Sequence, residues 1–165
     1  ITNDYFVGEA DFKEKFDLKE KGSIHWCACF NSYNPVIKSF CNTIPTSEGG
    51  THQTGFLNAI AKGFKSYVEI IGDKKFSAIN KDDVLEILSS SISVFVEQPQ
   101  FVGQTKDKLS NLEVQKKVES IIKDRFDNWL ANDKSRTLLL IENLRMRAEE
   151  RIKAKQKMPM ARRLK

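Results

Sequence analysis

One long amphipathic stripe, with strand patterns on either side of it, narrows the folds open to this chain more than any other pattern. Phe56, Leu57, Ile60, Phe64, Val68 and Ile71 recur at i, i+3 and i+4 spacing, which a helix lays along one face. Before the stripe, SIHWCACFN alternates, with Ile24, Trp26, Ala28 and Phe30 on one side and His25, Cys27 and Cys29 on the other. Both sides are fairly apolar, which predicts a strand covered on one face and nearly so on the other. SYNP is a turn, and VIKSFCNTI reads as one further strand, β-branched and aromatic, ended by Pro45. After the stripe, ISVFVE reads as a strand closed by Pro99. Early strands, interrupted and followed by amphipathic helices, predict an α/β (α+β) fold, a two-layer sandwich with a helical extension.

Local signals refine this pattern. A short strand is expected near 4–12. Gly49 and Gly50 allow a backbone excursion, and Thr51 suits the N-cap of the striped helix. Gly55 and Gly63 inside that helix cost about 1 kcal/mol each relative to alanine, so a neighbour should pack closely there. Gly72 ends it. Asn80 caps a short helix with Asp82 and Asp83 in its first turn and Val84, Leu85 and Leu88 on its buried face. A helix over 112–130 turns Val114, Val118, Ile121, Ile122, Phe126 and Trp129 inward. ANDKS interrupts it, and a last helix covers about 134–157. Its stripe of Leu140, Leu144, Ala148 and Ile152 fades into charge, predicting a helix that projects from the body.

Charge is distributed unevenly. The net charge is +5, yet residues 145–165 hold nine basic side chains against Glu149 and Glu150, a net of +7, which leaves −2 on the rest. Such polarity points to a polyanion meeting the C-terminal helix, with Arg147, Arg151, Lys153, Lys155 and Lys157 as the candidate contacts. No run approaches the roughly 18 apolar residues of a membrane span. The opening ITNDYFVGEADF carries no secretory signal and no methionine, and reads as a piece of a longer protein. Cys27, Cys29 and Cys41 are an odd number in strand-like runs, suggesting packed thiols in a reducing compartment. A metal site of His25, Cys27, Cys29 and Cys41 is the sharper alternative, but Cys-x-Cys is not a usual zinc spacing, and no metal is expected.

EPQFVGQTKDKLSN carries the most specific chemistry. Pro99 halts the ladder and Gly103 lets the chain turn. In an extended segment Gln104 and Lys106 point the same way, a carboxamide and an ammonium suited to a phosphoryl oxygen. The other reading is a solvated loop lysine. A P-loop needs several glycines before Lys-Ser/Thr and is excluded. The two histidines, His25 and His52, sit in no pattern that pairs them with a nucleophile, so no hydrolase is expected. His52 reads as a capping or packing residue and Glu48 as a complement to the helix dipole.

NTIPTSEGGTHQTGF, followed some fifty residues later by EPQFVGQTKDKLSN, resembles the transducer domain of the B subunit of bacterial type IIA topoisomerases, DNA gyrase and topoisomerase IV. The likeness is strongest over 37–130, and NTIPT and AEERIKAKQ lean toward topoisomerase IV. It implies a fold like the second domain of a small-subunit ribosomal protein, with a left-handed βαβ crossover and a long basic C-terminal helix. It implies a transducer over 1–131 and a projecting helix and tail over 132–165. Carried over residue by residue, Gln104 and Lys106 would reach the terminal phosphate of ATP, which is bound with Mg2+ mainly by a preceding ATPase domain. Lys106 would be the catalytic contribution. The implied partners are double-stranded DNA, an A-type subunit in an A2B2 assembly and that preceding domain, in the bacterial cytoplasm. The segment alone is not expected to hydrolyse ATP. The rival is a nucleotide-independent RNA-binding or scaffold module, with Trp26 and Phe30 stacking bases from the sheet.

Overall fold

A computed structural model describes residues 5–16, 21–30 and 34–163, with side chains to 157. Its centre is a five-stranded mixed sheet in the order β1-β2-β5-β3-β4. Strands β1 (Tyr5–Asp11) and β2 (Ser23–Phe30) pair antiparallel, with Val7 opposite Cys27. β2 pairs antiparallel with β5 (Leu88–Phe95), Trp26 facing Ile92 across the ladder. On its other side β5 runs parallel to β3 (Ile37–Cys41), which makes a hairpin with β4 (Ile44–Pro45). Parallel neighbours cannot be joined by a tight turn. The chain between β3 and β5 accordingly forms the long helix α1 (Thr51–Ile71), a 3-10 turn at Lys74–Phe76 and the short helix α2 (Lys81–Leu85). Helices α3 (Leu112–Asn132) and α4 (Lys134–Arg163) follow.

The sequence periodicities become the two walls of one core. Ile24, Trp26, Ala28 and Phe30 of β2 and Ile92 and Val94 of β5 turn inward. They meet Phe56, Ile60 and Phe64 of α1 and Val118, Ile122 and Phe126 of α3. Each fully buried side chain of this size contributes about 1.5–3 kcal/mol. Phe126 sits at the middle of an aromatic cluster, with ring centroids 5.1 Å from both Phe6 and Phe64. The predicted close approach at both helix glycines is present. A Cβ on Gly55 would lie 2.6 Å from the carbonyl oxygen of Gln115, and one on Gly63 would lie 2.4 Å from the Phe126 ring.

Four local expectations need correction. The run after Val36 is a hairpin, because Asn42 and Thr43 take φ values of 50° and 68° and turn the chain before Ile44. Both central residues of such a tight turn need positive φ, and a β-branched Thr43 disguises it as strand. Thr51 is the first residue of α1, and Gly50 occupies the N-cap. Leu88 begins β5. Finally, β2 is covered on one face only. His25 and Cys27 are exposed on the open face, where Glu9 Oε2 lies 3.3 Å from His25 Nδ1 and Ser91 and Ser93 of β5 lie alongside.

Trp26 and Phe30 lie beneath the helices, 4% and 8% exposed, so the sheet does not offer them for base stacking. Cys27 is exposed and Cys29 half-buried, whereas Cys41 is fully buried on the opposite face. The imagined four-residue metal site is therefore split by the sheet, and among the described residues no three His, Cys, Asp or Glu side chains cluster. No helix among the described residues is long and apolar enough to cross a membrane.

Candidate functional site

The loop over 97–111 leaves the end of β5 under tight control. Val96 is gripped by the Asn42 side chain, which accepts its N–H and donates to its carbonyl, both at 2.9 Å. The Asn42 backbone N–H donates to the carbonyl of Val94, also at 2.9 Å. Further along, Gln100 N–H donates to Asn111 Oδ1 at 2.7 Å. Ser110 N–H donates to the Gln100 carbonyl at 2.8 Å, and Val102 N–H to the Lys108 carbonyl at 2.9 Å. Phe101 and Leu109 thus face one another in a short antiparallel bridge. Gly103, at φ 74°, turns the tip in a conformation that glycine adopts without strain.

The second sequence signature lies directly beneath the first. Leu109 N–H donates to the Gly49 carbonyl at 3.2 Å, its own carbonyl accepts Thr51 N–H at 3.0 Å, and Glu48 N–H donates to the Asp107 carbonyl at 2.9 Å. Gly50, at φ 132°, comes so close that a Cβ there would lie 2.4 Å from the Leu109 carbonyl oxygen. Leu109 is 1% exposed and ties the two motifs together. Its only sequence signal is a lone leucine between charged and polar neighbours.

Under this junction lies a buried polar floor. His52 Nε2 is 3.0 Å from Thr46 Oγ1, and Thr46 Oγ1 is 2.7 Å from Ser39 Oγ, which also donates to Gln53 Oε1 at 3.1 Å. Burial disfavours the charged imidazole and lowers the His52 pKa to about 4. Among the described residues neither His52 Nδ1 nor Thr51 Oγ1 has a hydrogen-bond partner.

Gln104 and Lys106 both stand exposed at the loop tip. The tip bends and turns rather than running extended, so the expected alternation of i and i+2 side chains does not apply. Among the described residues no acidic group pairs with Lys106.

The basic row on α4 divides. Arg147 donates to Asn143 Oδ1 and to Glu86 Oε2, each at 3.3 Å. Arg151 Nε donates to Asp83 Oδ1 at 3.1 Å, and its terminal nitrogen to the Ala78 carbonyl at 2.8 Å. These two arginines face the domain's own acids, an amide and a carbonyl. Lys153, Lys155 and Lys157 are exposed. The helix runs on past Arg151 to Arg163, about 18 Å at 1.5 Å per residue.

A family model described as DNA gyrase B matches residues 3–159, and the chain belongs to that family. Among curated relatives, the B subunit of DNA topoisomerase 4 from Bartonella bacilliformis is 43% identical over 156 residues, which are 94% of this chain and 22% of that protein. The chain therefore spans under a quarter of such a relative. Two solved structures share the fold. The topoisomerase IV ATP-binding domain of Francisella tularensis, in complex with a small-molecule inhibitor, aligns with a TM-score of 0.74 and 31% identity, covering 88% of this chain and 40% of that one. The 43K ATPase domain of Thermus thermophilus gyrase B, in complex with an aminocoumarin, aligns at 0.80 and 25% identity, covering 94% and 41%.

Proposed function

We propose that this chain is the transducer segment of a bacterial type IIA topoisomerase B subunit, of the topoisomerase IV kind. In this reading it couples ATP binding and hydrolysis in a preceding domain to the passage of a DNA duplex. The observation that carries it is the loop itself: Gln104 and Lys106 stand exposed on a tip whose base is bonded into the start of α1. An exposed ammonium on a firmly held base suits contact with a charged group arriving from outside the domain. The 40% and 41% coverage of two solved ATP-binding chains leaves room in those proteins for a second domain beside this one.

The γ-phosphate of ATP supplies a dense negative charge, and the bond that hydrolysis breaks. The ammonium of Lys106 forms a charge-assisted hydrogen bond to it, strong in a water-poor cleft, and Gln104 adds an uncharged donor. When that anion leaves, Lys106 loses its partner, and loop position follows nucleotide state through this difference in contact. Mg2+, adenine and the attacking water belong to the preceding domain, so the segment alone does not turn over ATP. The transducer covers 1–131 with the left-handed crossover of its family. Residues 132–165 carry the shift toward DNA held with an A-type subunit in an A2B2 assembly, in the bacterial cytoplasm. Lys153, Lys155 and Lys157 meet DNA phosphates without reading bases.

The test is Lys106→Ala in the full-length B subunit assembled with its A subunit. ATP turnover should fall by on the order of 10²-fold, as for loss of one electrostatic stabiliser, and strand passage should fall with it. Unchanged turnover and strand passage would remove Lys106 from the phosphate.

A further inference from the structure

The N-cap positions of the two long helices beside the loop are both unusual. Asn111 occupies the N-cap of α3, where asparagine normally bonds the backbone of its own helix, yet its side chain makes no such bond. It turns back to the loop. Its Oδ1 accepts Gln100 N–H at 2.7 Å, while its Nδ2 donates to the Gln98 carbonyl at 3.2 Å and to Glu113 Oε1 at 3.0 Å. The side chain is buried, 4% exposed, so these bonds are shielded from water. The N-cap of α1 is Gly50, which has no side chain to cap with. Any Cβ there would lie 2.4 Å from the Leu109 oxygen and 2.5 Å from its nitrogen. Both helices forgo an ordinary side-chain cap: at α1 the Leu109 carbonyl accepts Thr51 N–H, and at α3 the cap residue's own side chain is turned to the loop.

We propose that Gly50 and Asn111 are positioning residues for Lys106: between them the N-termini of α1 and α3 grip the loop from two sides, so that base and helices move as one body. This rests on the reading of Lys106 as the phosphate-facing group. The grip ends at the tip. A Cβ on Gly103 would meet nothing within 4 Å, and the residues from Val102 to Lys106 are exposed. A displacement of the loop base is passed through Leu109 and Gln100 into α1 and α3. The two helices are themselves interlocked where Gly55 meets Gln115 and Gly63 meets Phe126. Neither Gly50 nor Asn111 is offered as touching nucleotide. Each acts on the reaction only through where Lys106 stands.

The experiment is a set of double-mutant cycles in the full-length B subunit assembled with its A subunit, read as ATP kcat and KM. Gly50→Ala and Asn111→Ala should each lower kcat about tenfold or more, as small misplacements of a catalytic group do, with little change in KM. In a Lys106→Ala background neither should lower kcat further by more than about twofold, because the group they position is already gone. Asn111→Asp keeps the acceptor for Gln100 N–H but sets a carboxylate oxygen against the Gln98 carbonyl and Glu113 Oε1, so it should not recover the loss. Should Gly50→Ala fail to fold, Asn111→Ala carries the test, since it removes atoms without adding a clash. Normal kcat in the single variants, or losses that multiply with Lys106→Ala, would overturn the grip while leaving Lys106 in place. An inert Lys106→Ala would instead overturn the phosphate reading, and the grip with it.

Discussion

Arg151 of α4 donates through Nε to Oδ1 of Asp83 at 3.1 Å, and Asp83 has no solvent exposure at all. The same carboxylate accepts the N–H of Asn80 at 2.9 Å, closing the N-terminus of α2. One buried charge therefore joins the last helix to the end of the crossover. Asp83 keeps the place in the first turn of α2 that its sequence position predicts, and the fold adds Arg151 as a further partner.

Removing the guanidinium would leave that carboxylate buried with only part of its partners. Arg151→Ala should destabilise the fold by about 2–3 kcal/mol, at the low end for a broken buried pair because the arginine side chain is itself 23% exposed. Arg151→Lys should not restore it, since a point ammonium cannot reach both Asp83 and the Ala78 carbonyl as the planar fork does. Urea unfolding followed by helical circular dichroism measures both, and a change below about 0.5 kcal/mol for Arg151→Ala, the size of an ordinary surface substitution, would make the pair ornamental.

The division of the basic row makes its own prediction for DNA. Replacing Lys153, Lys155 and Lys157 together with alanine should reduce the salt dependence of DNA binding by up to about 3 log units per log unit of salt, without changing sequence preference. Arg147→Ala alone should leave the slope nearly unchanged, because Glu86 and Asn143 already hold that side chain. Equal effects from the arginine and the lysines would mean that Arg147 swings outward to meet the duplex.

His52 predicts an acid-sensitive fold. Its pKa is about 4 in the folded chain against an ordinary 6.5, because burial penalises the charged ring. Between those values the unfolded chain binds the proton and the folded chain does not. Its contribution is therefore complete above pH 6.5 and is lost as pH falls toward 4, about 3 kcal/mol in all. His52→Gln should flatten unfolding free energy against pH across that window. A slope that persists in the variant would assign the acid sensitivity to the carboxylates.

The two helix glycines should rank in a defined order. Alanine improves helix propensity by about 1 kcal/mol, but at Gly55 the new methyl meets backbone and at Gly63 the edge of a side-chain ring. Gly55→Ala should lose more stability than Gly63→Ala, each net destabilising by about 1–3 kcal/mol from overpacking. Thermal unfolding of the pair tests the order. Stabilisation by either would show that α1 and α3 can part without cost.

Much of the architecture was legible because it rests on near-neighbour rules. The stripe from Phe56 to Ile71, the alternation from Ile24 to Phe30, the cap at Asn80 and the left-handed stop at Gly72 each depend on residues within a turn or two. The turn at Asn42–Thr43 was not legible, since Thr43 carries a strand preference that the hairpin overrides. The open outer face of β2 was hidden as well, because cysteines read as small hydrophobes wherever they lie.

At the site the division is sharper. The order of residues singled out Gln104 and Lys106 as candidates for a phosphate, but the extended alternation behind that reading gives way to a bent and turned tip. The same order was enough to show where positive charge accumulates. Packing settled the rest: Gly50 and Leu109 lock two distant motifs together, Asn111 abandons its own helix for the loop, and Arg147 and Arg151 turn inward while the lysines beyond them stay in water. Those outcomes depend on pairings between groups tens of residues apart, and which acid or carbonyl lies within about 3 Å of a donor is set by the packed fold rather than by any local preference.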